Sequence, residues 1–341
     1  MTVSKFYPAF ATDFDRLLQR LAGRKVAVIG HARPDGDCIG SQVGLARMLA
    51  SAGHDVTCVN ADAVPRRLEF LVPGMKFLRT DDVLADPTDY AAVFVDCADQ
   101  ARVGERLKVR FPRPLANLDH HISNTHFAEL NLVDAGSAAT CEILTGLALD
   151  RGLALDAPAA QALFAGIVTD TGQFRFASTS RRTFLLAAEL MAAGANPPQV
   201  GLELYERESM AKLELLQRYL SSLRMECGGR VCIGILPAGV FEATGSSAED
   251  TEGLVDYARS VEGVDVGVLI KERTDGSVKA SLRAKDATYR LDLIAAQFNG
   301  GGHASAAGLS LTSGTEDFYA RLVAALAKQI TLVDAAGKAA P

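Results

Sequence analysis

The sequence predicts an α/β fold in which a doubly wound, mainly parallel sheet is followed by a smaller α/β domain. Apolar strand-like runs such as 25–30 and 91–95 alternate with segments of helical periodicity. The chain has 341 residues, more than one hydrophobic core usually serves, so two domains are expected. Acidic and histidine side chains follow the apolar runs, at the strand ends where doubly wound sheets bind ligands.

The elements of the first domain begin with a buried strand over 25–30. A helix is predicted over 38–53, with Asp37 as its N-cap and Gly53 at its end. A second strand covers 55–60, and further strands end at the motifs VDCAD and LDHHIS. Helical periodicity indicates three more helices, over 138–149, 158–168 and 181–193.

A long polar helix over roughly 199–225 is predicted to connect the two domains. The second domain shows strand-like runs, a TDG hairpin turn, a glycine-rich loop GGGHASAAG and a final amphipathic helix. The predicted boundaries are 1–195 for the first domain, 196–225 for the connector, 226–333 for the second domain and 334–341 for a frayed tail.

Composition and charge exclude several classes of protein. No apolar run reaches the roughly 18–20 residues of a membrane span, and the N-terminus lacks the apolar core of a signal peptide. A cytoplasmic protein without a membrane partner is therefore expected. Its six scattered cysteines should be reduced. The net charge of −6 argues against binding long duplex nucleic acid but leaves room for a short anionic substrate in a positive pocket.

Four clusters of potential metal ligands lie in the first domain. Their members are His31, Asp35 and Asp37; Asp96; Asp119, His120 and His121; and Asp170. Carboxylates brought together at strand ends would repel one another, and few lysines or arginines lie beside these motifs to compensate. Divalent cations would compensate, and mixed histidine and aspartate ligands suit Mn²⁺, Co²⁺ or Zn²⁺ better than Mg²⁺. The clusters therefore predict a metal centre.

The motifs HARPDGDCIGSQ, VDCAD, LDHHISN and GIVTDTGQFRF resemble the four motifs of the DHH phosphoesterases. FNGGGHASAAG, with SLR upstream, resembles the DHHA1 domain, so that the resemblance covers nearly the whole chain. The most similar subgroup is the nano-RNase and pAp phosphatase type (NrnA-like). The resemblance implies a DHH domain and a DHHA1 domain, two divalent metal ions, most often Mn²⁺ with Co²⁺ or Mg²⁺ as alternatives, and a homodimer.

The resemblance also implies a role for each residue of the metal clusters. His31 and Asp35 would bind one metal, Asp37, His120 and Asp170 would bind the other, and Asp96 would bridge the two metals. Asp119 would orient a ligand histidine, and His121 would bind the phosphate or assist proton transfer. Water activated by the metals would attack the phosphate, so no side-chain nucleophile is required. Cys38, inside the first motif, is interpreted as a packing residue.

Substrate recognition is expected mainly from the second domain. The residues concerned are Ser281, Arg283, Gly300, Gly301, Gly302 and His303, together with Arg102 of the first domain. Unblocked backbone N–H groups of the glycines would cradle an anion, and Arg283 would fork onto a phosphate. Arg181 and Arg182 are instead interpreted as surface residues.

Several substrates remain open at this point. The enzyme would hydrolyse RNA of two to five nucleotides, 3′-phosphoadenosine 5′-phosphate (pAp), or a linear or cyclic dinucleotide such as pApA or cyclic di-AMP. A RecJ-like exonuclease is disfavoured because the chain is short and acidic. A family II pyrophosphatase is disfavoured because of the GGGH motif. A non-catalytic nucleotide sensor is disfavoured because every expected ligand is present.

Overall fold

The computed structural model describes residues 5–80, 89–312 and 314–339. The chain divides into two compact units, Met1–Arg207 and Glu208–Pro341, and this division falls inside the segment 196–225 that was predicted as the connector. Each unit is built on its own six-stranded sheet. The predicted α/β class is therefore confirmed.

The first sheet consists of parallel strands in the order β3-β2-β1-β4-β5-β6. Its strands are β1 Lys25–Ile29, β2 Val56–Asn60, β3 Phe77–Arg79, β4 Tyr90–Val95, β5 Ala116–Asp119 and β6 Leu130–Val133. The chain moves outward from β1 to β3 and then returns to the other side of β1 with β4. This reversal between β1 and β4 is the switch point at which doubly wound sheets bind ligands.

The helices of the first unit are α1 Ala11–Leu21, α2 Gly36–Ser51, α3 Glu105–Arg110, α4 Thr140–Arg151, α5 Ala157–Asp170, α6 Arg181–Ala192 and α7 Pro197–Tyr205. Alternate residues of β1 enter two different cores. Val26 and Val28 join the larger one with helices α1, α2, α4 and α5, and Ala27 and Ile29 join a smaller one with α3. Burial on both faces explains the uninterrupted apolar run of this strand.

Helix α2 begins differently from the prediction. Its N-cap is Asp35, whose carboxylate accepts a hydrogen bond from the Cys38 N–H at 3.1 Å, whereas Asp37 lies in the first helical turn. The prediction of Asp37 as N-cap was therefore wrong by two residues. The Asp37 side chain has stronger partners elsewhere, because it accepts two backbone N–H bonds from another helix.

Helices α2 and α5 approach each other closely at two glycines. A Cβ built on Gly40 would lie 2.5 Å from the carbonyl oxygen of Ala162, and one built on Gly44 would lie 2.5 Å from a methyl carbon of Leu163. Backbone atoms cannot retreat as a flexible side chain can, so Gly40 sets the distance between the helices. This contact matters for function because α2 and α5 carry Asp37 and Asp170.

The predicted connector is not one long helix. Helix α7 ends at Tyr205, and α8 (Met210–Ser221) begins after Ser209, which caps it by accepting from the Lys212 N–H. A serine four residues into a charged stretch offers the backbone a new N-cap, which favours a break over a continuous helix. Helix α7 belongs to the first unit and α8 to the second.

The second sheet has the order β11-β12-β10-β9-β8-β7 and is antiparallel except for the parallel pair β8–β9. Its strands are β7 Arg224–Glu226, β8 Val231–Leu236, β9 Val266–Glu272, β10 Val278–Ala284, β11 Gly301–His303 and β12 Ala306–Leu311. The remaining helices are α9 Val240–Thr244, α10 Leu254–Ser260, α11 Leu291–Ala296 and α12 Thr315–Ala339. Helices α11 and α12 pack on one face of the sheet, and α8, α9 and α10 pack on the other.

Two predictions about the second unit were wrong. The glycine-rich segment GGGHASAAG is a hairpin of β11 and β12 rather than a loop. Helix α12 continues to Ala339, so most of the predicted tail is helical. Asp334 helps to hold that helix end, because both of its carboxylate oxygens accept from Arg230, at 2.8 and 2.7 Å.

None of the helices within the described ranges is both long enough and apolar enough to cross a membrane. The six cysteines are free thiols, and all of them except Cys227 are buried. Cys38 is completely buried, in agreement with its interpretation as a packing residue.

The contact between α2 and α5 makes a testable prediction for stability. Gly40→Ala forces a methyl group against the Ala162 carbonyl and should destabilise the protein by about 1–3 kcal/mol, as overpacking does. Gly201→Ala is the matched control, since nothing lies within 4 Å of its added Cβ. Because alanine is the better helix former, that change should stabilise helix α7 by up to about 1 kcal/mol. Urea unfolding of both variants measures the difference, and equal free energies of unfolding would contradict this account.

Candidate metal and phosphoester site

The strands at the switch point deliver the predicted metal ligands to one edge of the first sheet. His31 follows the end of β1 by two residues, Asp96 directly follows β4, and the pair Asp119 and His120 stands at the end of β5. Helices add Asp37 from the first turn of α2 and Asp170 from the last position of α5. Clusters separated by up to 139 residues in the sequence (Asp170 against His31) are therefore neighbours in space.

Two groups of these side chains could each hold a metal ion. One group is His31, Asp35 and Asp96, and the other is Asp37, His120 and Asp170; within each, the ligand atoms lie within 4.8 Å of one another. A third grouping joins Asp96 with His120 and His121. The structure thus brings together every residue that was predicted to bind metal.

Asp96 connects the two groups because its carboxylate oxygens face different histidines. Its Oδ2 lies 3.3 Å from Nε2 of His31, and its Oδ1 lies 3.6 Å from Nε2 of His120. The same His120 nitrogen is 3.3 Å from Asp170 and 3.9 Å from Asp37. A carboxylate that presents one oxygen to each of two ligand groups has the arrangement of a bridging ligand.

The histidines are oriented for binding a cation. Nδ1 of His31 donates to the Ala32 carbonyl at 2.9 Å, which turns Nε2 toward Asp35 and Asp96. That Nε2 is buried, and no hydrogen bond reaches it from the described chain. Nδ1 of His120 likewise faces the Ser137 carbonyl, at 3.4 Å. Burial lowers the pKa of His31, but its neighbours Cys38, Asp35 and Asp96 raise that pKa overall, so a cation would displace a proton from this imidazole. An imidazole nitrogen that faces carboxylates fits a divalent cation, so the residues present suit the metal that the motifs imply.

The electrostatics of the site reflect its crowding with acidic groups. Burial, followed by the negative charge of Asp96, raises the pKa of Asp37 to about 7. Burial and the charges of Asp37, Asp35 and Asp96 raise the pKa of Asp170 well above its ordinary value. Burial alone would raise the pKa of Asp96 too, but its interaction with His31 and the charges of the neighbouring histidines lower that pKa. The centre therefore carries acids that a cation would ionise.

The N-terminus of helix α4 supports these carboxylates, a role that the sequence did not reveal. The backbone N–H groups of Thr140 and Cys141 donate to Asp37 at 2.7 and 2.9 Å, and the Thr140 hydroxyl donates to Asp96 Oδ1 at 3.2 Å. The positive end of the helix faces the buried acids, where it favours their charged form. The sequence signals were Ser137, directly before the predicted helix 138–149, and Thr140, inside it.

Asp119 is fully buried and belongs to neither of the two metal groups. Its two oxygens accept from His121 Nδ1 at 2.7 Å and from Asn124 Nδ2 at 2.6 Å. Burial lowers the pKa of His121, but the hydrogen bond to Asp119 and the charge of Asp96 outweigh burial, so the net shift is upward. Asn124, the last residue of the motif LDHHISN, was not assigned a role from the sequence.

The backbone at Asp96 is strained. Its φ of +58° places a non-glycine residue in the left-handed region, which costs of order 1–3 kcal/mol and persists only where surrounding contacts enforce it. Its N–H donates to the Leu118 carbonyl at 2.9 Å, which continues the ladder between β4 and β5. The turn aims the side chain back across the strand ends instead of onward along the chain.

The predicted arginines differ in their surroundings. Arg102 is exposed in the 3-10 turn Gln100–Val103, where its charge opposes protonation of His121 and its carbonyl accepts from Ala32 at 2.7 Å. Arg182 is not the surface residue that was predicted. Its guanidinium is half-buried and pairs with Glu142 and Asp134 at 2.7 and 2.9 Å.

In the second unit, three of the predicted substrate residues, Ser281, Arg283 and His303, share one face of the sheet. Ser281 and Arg283 alternate along β10, opposite Gly308 and Ala306 of β12, and His303 pairs with Ala306 from β11. Burial lowers the pKa of Arg283, whose Nη1 donates to the Leu282 carbonyl at 3.0 Å.

The glycines of this hairpin serve close strand pairing. A Cβ on Gly300 would lie 2.4 Å from the Gly308 carbonyl oxygen, and Gly302 adopts a φ of +143°. No atom lies within 4 Å of a Cβ built on Gly301, so there is open space beside the backbone at this position of the hairpin.

Comparisons with known proteins agree over both units. Residues 25–167 match the DHH family, N-terminal domain, and residues 228–331 match the DHHA1 domain. A bifunctional oligoribonuclease and PAP phosphatase NrnA from Thermus thermophilus is 33% identical over 307 residues, which cover 90% of each chain. The Bacillus subtilis protein of the same name is 27% identical over 297 residues, 84% of this chain and 89% of its own.

Among solved structures, an exopolyphosphatase-related protein from Bacteroides fragilis matches with a TM-score of 0.89 at 24% sequence identity. The match covers 98% of this chain and 100% of the other. This likeness concerns the fold.

Metal binding by the metal-free protein should depend on pH. Asp37 keeps its proton below about pH 7, so a cation must displace that proton. The affinity for Mn²⁺ should therefore fall by about tenfold per pH unit below pH 7 from the Asp37 proton. Asp170 and His31, whose pKa values are also raised, would steepen the fall wherever they too are protonated. Calorimetric titration in buffers of different ionisation enthalpy measures both the affinity and the proton release. An affinity that stays constant down to about pH 5 would contradict the assignment of Asp37.

Proposed function

This chain belongs to the DHH family, and from that premise we propose that it hydrolyses phosphate esters in oligoribonucleotides a few nucleotides long and in pAp. We propose further that two divalent cations, with Mn²⁺ as the native metal, occupy the two ligand groups that share Asp96. The substrates are those in the names of the Thermus thermophilus and Bacillus subtilis relatives, which align over most of both chains.

One observation carries the proposal of a two-metal centre: each oxygen of Asp96 faces a histidine of a different ligand group. His31 and Asp35 lie on one side of this carboxylate, and His120 lies on the other with Asp37 and Asp170. A single metal bound to His31, Asp35 and Asp96 would leave two carboxylates and a histidine of the other group without compensation, which is costly for groups withdrawn from water.

The chain's own residues would then have distinct tasks. Two bound divalent cations would supply positive charge against the phosphate and acidify a water molecule for attack. Asp119 and Asn124 hold the imidazole of His121, whose raised pKa suits it to donate a proton to the leaving oxygen. The helix α4 N-terminus aims Asp37 through the Thr140 N–H, and the Thr140 hydroxyl aims Asp96.

We propose that the second unit binds the part of the substrate that does not react. Arg283 would bind a phosphate through its planar guanidinium, and Ser281 and His303 would add hydrogen bonds. Their common face on β10, β11 and β12 supports this proposal. The residues opposite them on β12, Gly308 and Ala306, have small side chains or none, which leaves room on this face for a ligand. Arg102, exposed and electrostatically coupled to His121, would contact the substrate in the first unit.

Removing the proposed bridge should abolish hydrolysis. Asp96→Asn keeps the shape of the side chain but not its charge. Changing a residue that only holds a metal ligand in place typically costs about 10- to 100-fold, so kcat should fall by more than that. Initial rates with Mn²⁺ would be compared on pAp, pApA, a five-nucleotide RNA and cyclic di-AMP. Asp99→Asn, three residues later and outside the ligand groups, is the matched control.

Each result of this assay has a clear meaning. Cleavage of pAp and the short RNA by the wild type and the control, but not by Asp96→Asn, agrees with the proposal. Fastest cleavage of pApA or cyclic di-AMP would make the protein a dinucleotide phosphodiesterase, and full activity of Asp96→Asn would refute the shared carboxylate.

The role of Arg283 can be separated from the chemistry. Arg283→Lys keeps the charge but loses the fork, so KM should rise roughly 10- to 100-fold, equivalent to a charged hydrogen bond of about 1.5–3 kcal/mol, while kcat changes little. Lys285→Gln is the control, because this exposed side chain follows on the same segment and its ammonium donates to the Val261 carbonyl. A change confined to kcat would argue against phosphate binding by Arg283.

A further inference from the structure

An ion pair between the half-buried Arg182 and the fully buried Glu142 lies next to the metal centre without belonging to it. Nε of Arg182 donates to Glu142 Oε1 at 2.7 Å, and its Nη2 donates to Asp134 Oδ2 and to Ser137 Oγ, each at 2.9 Å. Glu142 is completely buried. A buried charge is retained at a cost, so its position calls for an explanation.

Every oxygen of Glu142 has partners. In addition to Arg182 on Oε1, its Oε2 accepts from the Ala138 N–H at 3.0 Å and from the Thr183 hydroxyl at 2.9 Å. The carboxylate thereby ties helix α6, which carries Arg182 and Thr183, to the turn before helix α4. These directed bonds of Glu142 restrict the conformation of that turn.

Tyr7 closes the network from the other side. The Arg182 guanidinium lies over its ring at 4.5 Å, and its hydroxyl bonds Ser137 Oγ at 2.8 Å. The backbone N–H groups of Phe6 and Tyr7 donate to the Asp150 carboxylate at 2.8 and 2.7 Å, which fixes this N-terminal segment to helix α4. Burial, followed by the charge of Glu142, raises the pKa of Tyr7, so the hydroxyl remains neutral and able to donate.

The segment held by this network is the one that touches the metal ligands. Within 134–142, the Ser137 carbonyl faces His120 Nδ1, and the N–H groups of Thr140 and Cys141 donate to Asp37. Both contacts go to members of the Asp37, His120 and Asp170 group. Within the described residues, no hydrogen bond from this segment reaches His31 or Asp35. The Cys141 thiol also donates to the Asp37 carbonyl at 3.5 Å, and the Thr140 hydroxyl donates to Asp96.

We propose that Arg182, Glu142 and Tyr7 are positioning residues that preorganise one of the two metal sites, the one formed by Asp37, His120 and Asp170. They hold the turn 134–142 so that its carbonyl orients His120 and its N–H groups orient Asp37. The inference rests on the proposed function for the identity of the ligand. It implies that the geometry of this site depends on Arg182, Glu142 and Tyr7, whereas that of the His31 and Asp35 site does not.

The test measures Mn²⁺ binding, not catalysis. Free Mn²⁺ is followed by electron paramagnetic resonance during titration of the metal-free full-length protein. In Arg182→Met, the Mn²⁺ affinity of one site should fall about 10- to 100-fold, as when residues that hold metal ligands in place are changed. The Mn²⁺ affinity of the other site should change by less than about threefold. Tyr7→Phe removes one hydroxyl and keeps the ring beneath Arg182, so the same site should weaken by a smaller factor. Because Tyr7→Phe alters so little, it serves if Arg182→Met does not fold.

Arg47→Met is the control for general destabilisation. Arg47 pairs with Asp156 through a bidentate contact between α2 and the start of α5, and its remaining hydrogen bond goes to the Met75 sulfur. It should lower the melting temperature of the metal-free protein without selective loss of one site.

The outcomes separate two possible failures. Selective weakening in Arg182→Met and Tyr7→Phe, with both sites intact in Arg47→Met, supports the proposal. Equal weakening of both sites, no weakening, or the same selective loss in Arg47→Met overturns it. A wild type that binds fewer than two Mn²⁺ ions contradicts the proposed two-metal function instead.

Discussion

The geometry of this protein's centre depends on the carboxylate of Asp96. It stands where the sheet reverses direction, directly after β4, in a left-handed backbone conformation that sends its side chain across the strand ends. Each of its oxygens faces a different histidine, and each histidine belongs to a different set of potential ligands. The remaining ligands can be understood as two half-sites arranged around this one group.

Assembling so many acids in one place is unfavourable, and the fold compensates with directed contacts. The N-terminus of α4 donates to Asp37, the Thr140 hydroxyl donates to Asp96, and Asp119 is satisfied by His121 and Asn124. The raised pKa values of Asp37 and Asp170 show that these contacts do not neutralise the whole cluster. A cation bound among these acids would favour their charged form, so metal binding would release their protons.

Sequence patterns were sufficient for the fold class and for the residues that gather at the strand ends. Uninterrupted apolar runs mark strands buried on both faces, and ligands at the ends of such strands have one edge in common. The support behind the ligands was not predictable in this way. Asp37 was interpreted as a helix cap because its true partners, at Thr140 and Cys141, lie more than a hundred residues further along the chain. Arg182 was assigned to the surface because nothing local distinguishes a paired arginine from a solvated one, and GGGH was assigned to a loop although its glycines permit strand pairing.

The central claim is that Asp96 joins two cations, and diffraction from crystals grown with Mn²⁺ tests it most directly. Anomalous difference maps should show two peaks about 3.5–4 Å apart, one on each side of the carboxylate. One peak should contact His31 and Asp35, and the other should contact Asp37, His120 and Asp170. A single peak, or two peaks that Asp96 does not share, would contradict this account of the centre.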